Sequence, residues 1–503
     1  TFPLWYAQEV EGVRPDVRVI NLSYLASDWY ANQQRMQAYD SKAVDFTATP
    51  DQYAYGMQDV TVLPYDSSSP ADLLSSLRLL YAGKSIDENS GYRQLASSIV
   101  KIPVDKEAVV KRGLVSVKDT ADIVDDIVID LGNTTSYRSK GYLGLGEILM
   151  LDIIATNAAN GWPRPIYWCS TVGDEYHTGL TEYLRSTGMT NQLVPTMQAG
   201  KAPRTDRSYA NIRDKYRFGG ADAEGRAPYF DETARRMLFS VRNSMVETAS
   251  QLLYEGDMLK HAGRNKAARK KYDQAVEILD MMMERAPQRV GKLDMYLGLT
   301  TAQIYCEIGQ ETGNKKLTEK GLTLLENLME HYASYLRYNV MINSTYLSPS
   351  LTYDSKMSPF QYYRMVELYE EYGGKRERAD ELIAMTGLDR KTLKQYYDMY
   401  TNPGSLAREG EESDISASDA AEELAKYCEI ANHLSTLAPG DYAASSSDER
   451  YVDSMLYNLL VEFEKEPETL RLLQGSEEWK QLDRERSRRL SEEFQAAHPE
   501  MFR

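Results

Sequence analysis

The spacing of apolar and polar positions changes near residue 229 of this 503-residue chain. Before that point, short β-branched runs typical of strands alternate with runs spaced like one face of a helix. After it, helical spacing continues with few interruptions. The pattern predicts an α/β N-terminal domain, Rossmann-like with a mostly parallel sheet, followed by an all-α domain of tetratricopeptide-repeat-like (TPR-like) helical repeats.

The first part contains four runs typical of strands, at residues 17–22, 59–63, 127–131 and 165–169. Between them, a helix is predicted over residues 70–81, with Ser69 as its N-cap and Pro70 in its first turn. A strongly apolar helix is predicted over residues 145–160. The chain opens on a helical segment and reads like the middle of a longer protein. Because a βα unit begins with a strand, we expect the first strand of the sheet to be missing here and to lie upstream of Thr1.

The second part reads as stacked helix pairs. Ala268, Tyr272 and Ala275 have the spacing of small and aromatic residues in the second helix of a TPR. We therefore predict an α/β domain at residues 1–228 and a TPR-like domain at 229–400. Residues 401–503 are predicted to hold an acidic linker (402–418) and helices (420–435, 449–465 and 476–497) that pack on the helical domain.

Composition narrows the range of functions. A net charge of −17 argues against nucleic-acid binding and against docking on anionic lipid. No segment approaches the roughly 18 consecutive apolar residues of a membrane span, so this fragment is not expected to insert into a membrane. Three widely separated cysteines exclude a disulfide framework and a CxxC metal site. We find no motif for a metal or a cofactor and expect neither.

Five residues are candidates for a binding site, and none is assigned a catalytic role. Asn21, Asp28, Trp29 and His177 belong to segments expected beyond the carboxyl ends of strands, where doubly wound sheets bind ligands. Asp152 interrupts the apolar run ILMLDIIAT, which fits either a buried hydrogen-bonded carboxylate or a site carboxylate. As the alternative, Trp29 and Tyr30 together pack their helix onto the sheet. For His177 the alternative is a packing or surface role.

The glycine-rich segment GYLGLGEI (residues 141–148) is similar to a phosphate-binding loop, but its last fingerprint position is Leu149 instead of glycine. A flexible entry to the buried helix explains it as well.

Several blocks resemble one known family. They are TFPLWYAQEVEGVRPDVRVINLSYLASDWY at the start, LDIIATN, RPIYW, GLTEYL with QLVP, and KYRFGG with YFDET. In this order they resemble a family of Bacteroidetes membrane proteins of unknown function that is similar to protein O-mannosyltransferases. In that family the first block follows a Gly-Asp-Asn-Asp tetrapeptide, which this sequence lacks.

The resemblance implies that the chain is the periplasmic C-terminal part of an inner-membrane glycosyltransferase. Its partners would be its own N-terminal transmembrane region and an acceptor protein or glycan. Because the family's catalytic acid lies in the absent membrane-proximal region, no catalytic residue is transferred to this sequence. The leading hypothesis is a non-catalytic binding and scaffolding module. The alternatives are an independent α/β enzyme of unknown reaction and a TPR-based glycan-capture protein.

Overall fold

The structure, a computed structural model, describes residues 1–65, 69–88, 90–197, 203–223, 229–343 and 349–401. The described chain forms two compact units. The first comprises residues 1–293 with 311–313, and the second comprises residues 294–310 and those from 314 on. The linker predicted at 402–418 and the three helices predicted beyond it lie outside the described residues.

The first unit combines short strands with helices. Its helices are α1 (Phe2–Glu9), α2 (Leu22–Leu25), α3 (Asp28–Gln34), α4 (Leu73–Tyr81), α5 (Lys106–Lys111), α6 (Thr135–Lys140), α7 (Leu145–Ala159), α8 (Asp206–Lys215), α9 (Glu232–His261) and α10 (Asn265–Arg285). Its strands are β1 (Thr61–Val62), β2 (Ala71–Asp72), β3 (Arg93–Gln94), β4 (Ile99–Pro103), β5 (Asp126–Asp130), β6 (Tyr167–Cys169), β7 (Leu184–Ser186) and β8 (Thr190–Leu193). Single 3₁₀ turns span Pro50–Gln52, Val117–Asp122, Asp174–His177 and Thr181–Tyr183.

The strands form three small sheets in the described residues. β1 pairs with β3 in parallel, and β4 pairs with β2 in parallel and with β5 antiparallel. The third sheet has the order β6-β8-β7 and is antiparallel throughout. A turn of only three residues joins β7 to β8, and so short a connection permits only antiparallel pairing.

The core of the α/β part follows from alternation on the strands and from one apolar helix. Val100 lies opposite Ile129 and Ile102 opposite Ile127, so one face of this sheet is buried. Helix α7 is buried over most of its circumference because it packs against α2, α4 and β4. The strands predicted at 127–131 and 165–169 and the helix predicted at 145–160 are confirmed within one or two residues.

Two predicted elements differ in the structure. Residues 17–22 do not form a strand: Asn21 caps the short helix α2 by accepting a hydrogen bond from the Tyr24 backbone N–H at 3.1 Å. Helix α4 begins at Leu73, after the predicted start, because Ala71 and Asp72 pair with β4 as strand β2. Asp72 then caps α4 by accepting from the Ser75 backbone N–H at 2.8 Å.

Helices α9 and α10 form an antiparallel hairpin within the first unit. The three residues with TPR spacing, Ala268, Tyr272 and Ala275, are all buried in it. The Tyr272 ring packs directly against Gly256 of α9, where a Cβ would overlap the ring. The small and aromatic residues therefore pack between the two helices of this hairpin, as their TPR-like spacing predicts.

The second unit is helical. It contains most of α11 (Met295–Thr312), and α12 (Lys315–Asn343), α13 (Pro349–Glu371), α14 (Arg376–Met385) and α15 (Arg390–Thr401). Gly298 of α11 allows a close approach to α12, since a Cβ there would lie 2.6 Å from Leu328 Cδ1. The buried Tyr362 of α13 donates a hydrogen bond of 2.9 Å to the Leu382 carbonyl of α14.

The predicted fold class is confirmed: a mixed α/β N-terminal region with small parallel and mixed sheets precedes a helical region. The long helices begin with α9 at Glu232. The first helix hairpin nevertheless belongs to the same compact unit as the α/β part. The three predicted domain ranges remain predictions.

Candidate functional site

Five aromatic side chains from α1, α2 and α3 form one cluster, which we call the aromatic surface. Its members are Phe2, Trp5, Tyr24, Trp29 and Tyr30. Neighbouring ring centroids lie 5.5 to 6.4 Å apart, in tilted and edge-to-face arrangements that aromatic pairs prefer. The cluster extends from the core to solvent, because Tyr30 is 3% exposed whereas Trp29 is 52% and Phe2 64% exposed.

Helical geometry separates the roles of Trp29 and Tyr30. Successive residues of a helix point about 100° apart, so one side chain faces inward and the next faces outward. The Tyr30 hydroxyl accepts a hydrogen bond from the Asn21 backbone N–H at 2.9 Å, which fixes the buried ring. Of the two residues expected to pack this helix inward, Tyr30 is buried, whereas the Trp29 ring is half exposed.

Two predicted polar residues border the aromatic surface. The Asn21 amide oxygen caps α2, and its Nδ2 donates to the Thr1 hydroxyl at 3.2 Å. Asp28 begins α3, and its half-buried carboxylate accepts from the backbone N–H of Trp29 at 2.6 Å. The amide thus caps the helix that carries Tyr24, and the carboxylate lies on the helix that carries Trp29.

Asp152 has a different setting, inside the core on α7. Its fully buried carboxylate accepts hydrogen bonds from the backbone N–H groups of Thr47 and Ala48, at 2.9 to 3.0 Å. The hydroxyls of Thr47 and Thr156 donate to it at 3.0 to 3.1 Å. Four donor groups satisfy the charge, which is the structural role that the sequence left open.

The Tyr81 hydroxyl lies beside Asp152. Burial, and then the charge of Asp152, raises the pKa of Tyr81 well above its usual range. The hydroxyl makes no hydrogen bond of acceptable distance and angle within the described part of the chain. The interaction between Tyr81 and Asp152 is therefore electrostatic.

His177 ends the 3₁₀ turn after β6 and is 4% exposed. Its ring meets Trp168 edge-to-face at 6.2 Å, and Nδ1 lies 3.3 Å from the Asp174 carboxylate. Neither ring nitrogen has a well-aligned hydrogen bond to any residue in the described ranges. Burial lowers the pKa of His177, an effect that Asp174 and Glu175 oppose.

The structure therefore brings three of the five candidates together and leaves two elsewhere. Asn21, Asp28 and Trp29 share the aromatic surface, Asp152 lies in the core, and His177 packs beneath β6. Reasoning from the sequence did not identify the contributions of Phe2, Trp5 and Tyr24. The available signal was the density of aromatic residues in the first thirty positions.

The aromatic surface combines exposed ring faces with polar groups, a composition that can support ligand binding. Exposed aromatic faces bordered by an amide and a carboxylate suit a ligand that offers both apolar C–H faces and hydroxyl or amide groups. Within the described residues, no group of three His, Cys, Asp or Glu side chains is placed to hold a metal ion. In the same residues, none of the helices has the length and apolar content needed to cross a membrane.

The fold is a mixed α/β region, which carries the aromatic surface, followed by a helical region. Residues 1–212 match the family model described as TMEM260-associated domain 2, a domain associated with a membrane protein. That match covers the whole aromatic surface and all three sheets. No curated protein and no solved structure is significantly similar to the chain.

Proposed function

We propose that this chain is the extracytoplasmic, non-catalytic binding part of a membrane-embedded glycosyltransferase similar to protein O-mannosyltransferases. In this proposal it lies in the periplasm as part of an inner-membrane protein. It would hold an acceptor polypeptide or glycan, which the membrane-embedded part of the same protein would modify.

The observation that carries the proposal is the aromatic surface, with the half-exposed ring of Trp29 at one end of it. A half-exposed indole can stack on a sugar ring or on an extended peptide, while Asn21 and Asp28 at the border of the aromatic surface bind hydroxyl or amide groups. The family match supports the membrane association, because the matched family is named for a membrane protein.

The first test is acceptor binding by the whole chain. Arrays of oligosaccharides and of Ser/Thr-rich peptides are probed with wild type and with Trp29→Ala. Loss of a central aromatic contact costs about 2 kcal/mol or more, so we expect affinity to fall roughly 30-fold. Tyr55→Ala is the matched control, because Tyr55 is 91% exposed in the same unit and lies outside the aromatic surface.

Folding does not confound this test. Trp29 is half exposed, so its removal should cost about 1.5 kcal/mol, half the cost of losing a buried aromatic ring, and circular dichroism verifies that the variant folds. Tyr30→Ala, at a buried ring, should cost about 3 kcal/mol or more. Equal binding by wild type, Trp29→Ala and Tyr55→Ala would refute the aromatic surface as the recognition site.

A second test concerns the parent protein. An antibody against this chain is used on fractionated native cells. A membrane-bound band much heavier than the 57.2 kDa of this chain is the expected result. A single soluble band near that mass would contradict the proposal.

A further inference from the structure

The third sheet aligns three side chains across its outer face. In the register of this sheet, Gln192 of β8 lies opposite both Tyr167 of β6 and Arg185 of β7. Residues directly opposite one another project from the same face of a sheet. Trp168 and Leu193, one position along their strands, project from the other face and join the hydrophobic core. Tyr167, Gln192 and Arg185 therefore form one row.

Helix α8 adds a second guanidinium to this row. Arg207 donates to the Gln192 amide oxygen and, at 2.9 Å, to the Tyr167 hydroxyl. Its guanidinium also lies 5.7 Å from the centroid of the Tyr167 ring. Arg207 is exposed and Tyr167 is 38% exposed, so this end of the row is open to solvent.

The two arginines of the row are held by neutral groups. Arg185 donates to the Thr196 hydroxyl at 3.3 Å, and its buried Nε has no hydrogen-bond partner among the described residues. Arg204 beside it differs, since it pairs with Asp119 and, at 2.5 Å, with Asp122. Burial, and then Arg204, lowers the pKa of Arg185, and the attraction of Asp119 and Asp122 does not reverse this.

Two nearby guanidiniums repel each other, and the neutral groups that accept from them do not offset that repulsion. The carboxylates of Asp119 and Asp122, which attract Arg185, are already paired with Arg204. A carboxylate has two oxygens and is satisfied by one guanidinium fork. Two forks match a ligand with at least three acceptor oxygens and more than one negative charge. In a chain with a net charge of −17, such a ligand needs a local cationic site to bind at all.

We propose that Arg185 and Arg207, together with the Tyr167 hydroxyl, form a binding site for a phosphate group on the outer face of the third sheet. The phosphate can belong to a soluble compound or to a lipid headgroup, since the same chemistry recognises both. This site is separate from the aromatic surface and does not depend on the proposed acceptor binding.

Inorganic phosphate is the first probe, titrated into the whole chain by calorimetry at constant ionic strength with chloride as the balancing anion. We expect saturable binding by wild type. Arg207→Gln should weaken binding at least roughly tenfold, because each guanidinium supplies charge-assisted hydrogen bonds. Arg213→Gln is the matched control: Arg213 lies on the same helix but pairs with Asp214.

Arg207 is exposed, so its variant should fold, and circular dichroism verifies this. Arg185→Lys is the second variant: it keeps the charge but loses the fork, and it should also weaken phosphate binding. The absence of saturable binding in wild type, or equal binding by Arg207→Gln and Arg213→Gln, would overturn the proposal. Trp29→Ala should bind phosphate normally, which separates failure of this site from failure of the proposed function.

A second arm separates the two sources of phosphate. Vesicles of phosphatidylcholine with and without phosphatidic acid are sedimented with the protein. If only vesicles with phosphatidic acid retain the chain and Arg207→Gln abolishes retention, the site accepts a lipid phosphate. If vesicles retain nothing while inorganic phosphate binds, the site takes soluble phosphate compounds.

Discussion

A buried lysine connects three helices of the first unit, and replacing it tests how that unit is held together. Lys271 of α10 is 8% exposed. Its Nζ lies 3.0 Å from the Glu255 carboxylate of α9, 3.0 Å from the Thr205 hydroxyl and 2.9 Å from Asp206 of α8. The Thr205 hydroxyl in turn donates to Glu255 at 2.6 Å.

Lys271→Met retains most of the apolar stem and removes the charge, which leaves Glu255 buried without its cation. Breaking a buried pair in this way costs about 3 to 5 kcal/mol. The Asp206 contact adds little, because that side chain is 87% exposed and solvent screens it. Because Thr205 still donates to Glu255, we expect the lower end, about 3 kcal/mol.

The assay is urea unfolding of the whole chain, monitored by tryptophan fluorescence. Four of the five tryptophans, at positions 5, 29, 162 and 168, lie in the first unit, so the signal reports mainly on that unit. Lys270→Met is the control. Lys270 is the exposed neighbour of Lys271 on the same helix, so this change should alter the free energy of unfolding by less than about 0.5 kcal/mol.

A double-mutant cycle completes the test. Lys271→Met combined with Glu255→Gln removes both charges and should cost less than the sum of the single changes, with a coupling of about 2 kcal/mol. A cost below about 1 kcal/mol for Lys271→Met, or strictly additive effects, would refute a network dominated by the buried charge pair.

Two further predictions concern the candidate residues outside the aromatic surface. Asp152→Asn turns an amide NH₂ toward the N–H groups of Thr47 and Ala48, so we expect a loss of about 2 kcal/mol or more in urea unfolding; unchanged stability would contradict the hydrogen-bonding role. Burial lowers the pKa of His177 in the folded state, so its contribution is fully present above the unfolded value of 6.5 and is lost as pH falls from there toward the folded pKa. His177→Gln should therefore reduce the decline in stability below pH 6.5 in unfolding curves measured across that range, and an identical decline in wild type and variant would contradict this assignment.

The periodicity of the sequence predicted those elements for which the local spacing of apolar residues is sufficient. Helix α7 is a long apolar segment that is buried over most of its length. The strand over residues 126–130 alternates buried positions with more exposed ones. Residues 17–22 were predicted wrongly because their β-branched side chains favour a strand in isolation. Here no strand within the described ranges pairs with them, and the Asn21 cap starts a helix at Leu22 instead.

In the third sheet, the direction of strand pairing also could not be predicted from local sequence patterns. Alternating strands and helices indicate parallel pairing, but β7 and β8 follow each other with no helix between them. A three-residue turn then requires antiparallel pairing, and the resulting register places Arg185 beside Gln192. The amino-acid composition of the segment alone does not determine this register.

By itself, the sequence determined helix α7, the strands near residues 127–131 and 165–169, and the change from an α/β part to long helices. These depend on the spacing of apolar side chains, which is a local property. Only the tertiary structure determined which partners the polar residues have. Thr47 satisfies Asp152 from 105 positions away, and Arg207 reaches a strand row from a later helix. Hydrogen-bond partners of buried polar groups come from distant segments, so only the folded chain determines which carboxylate is structural and which cation remains available to a ligand.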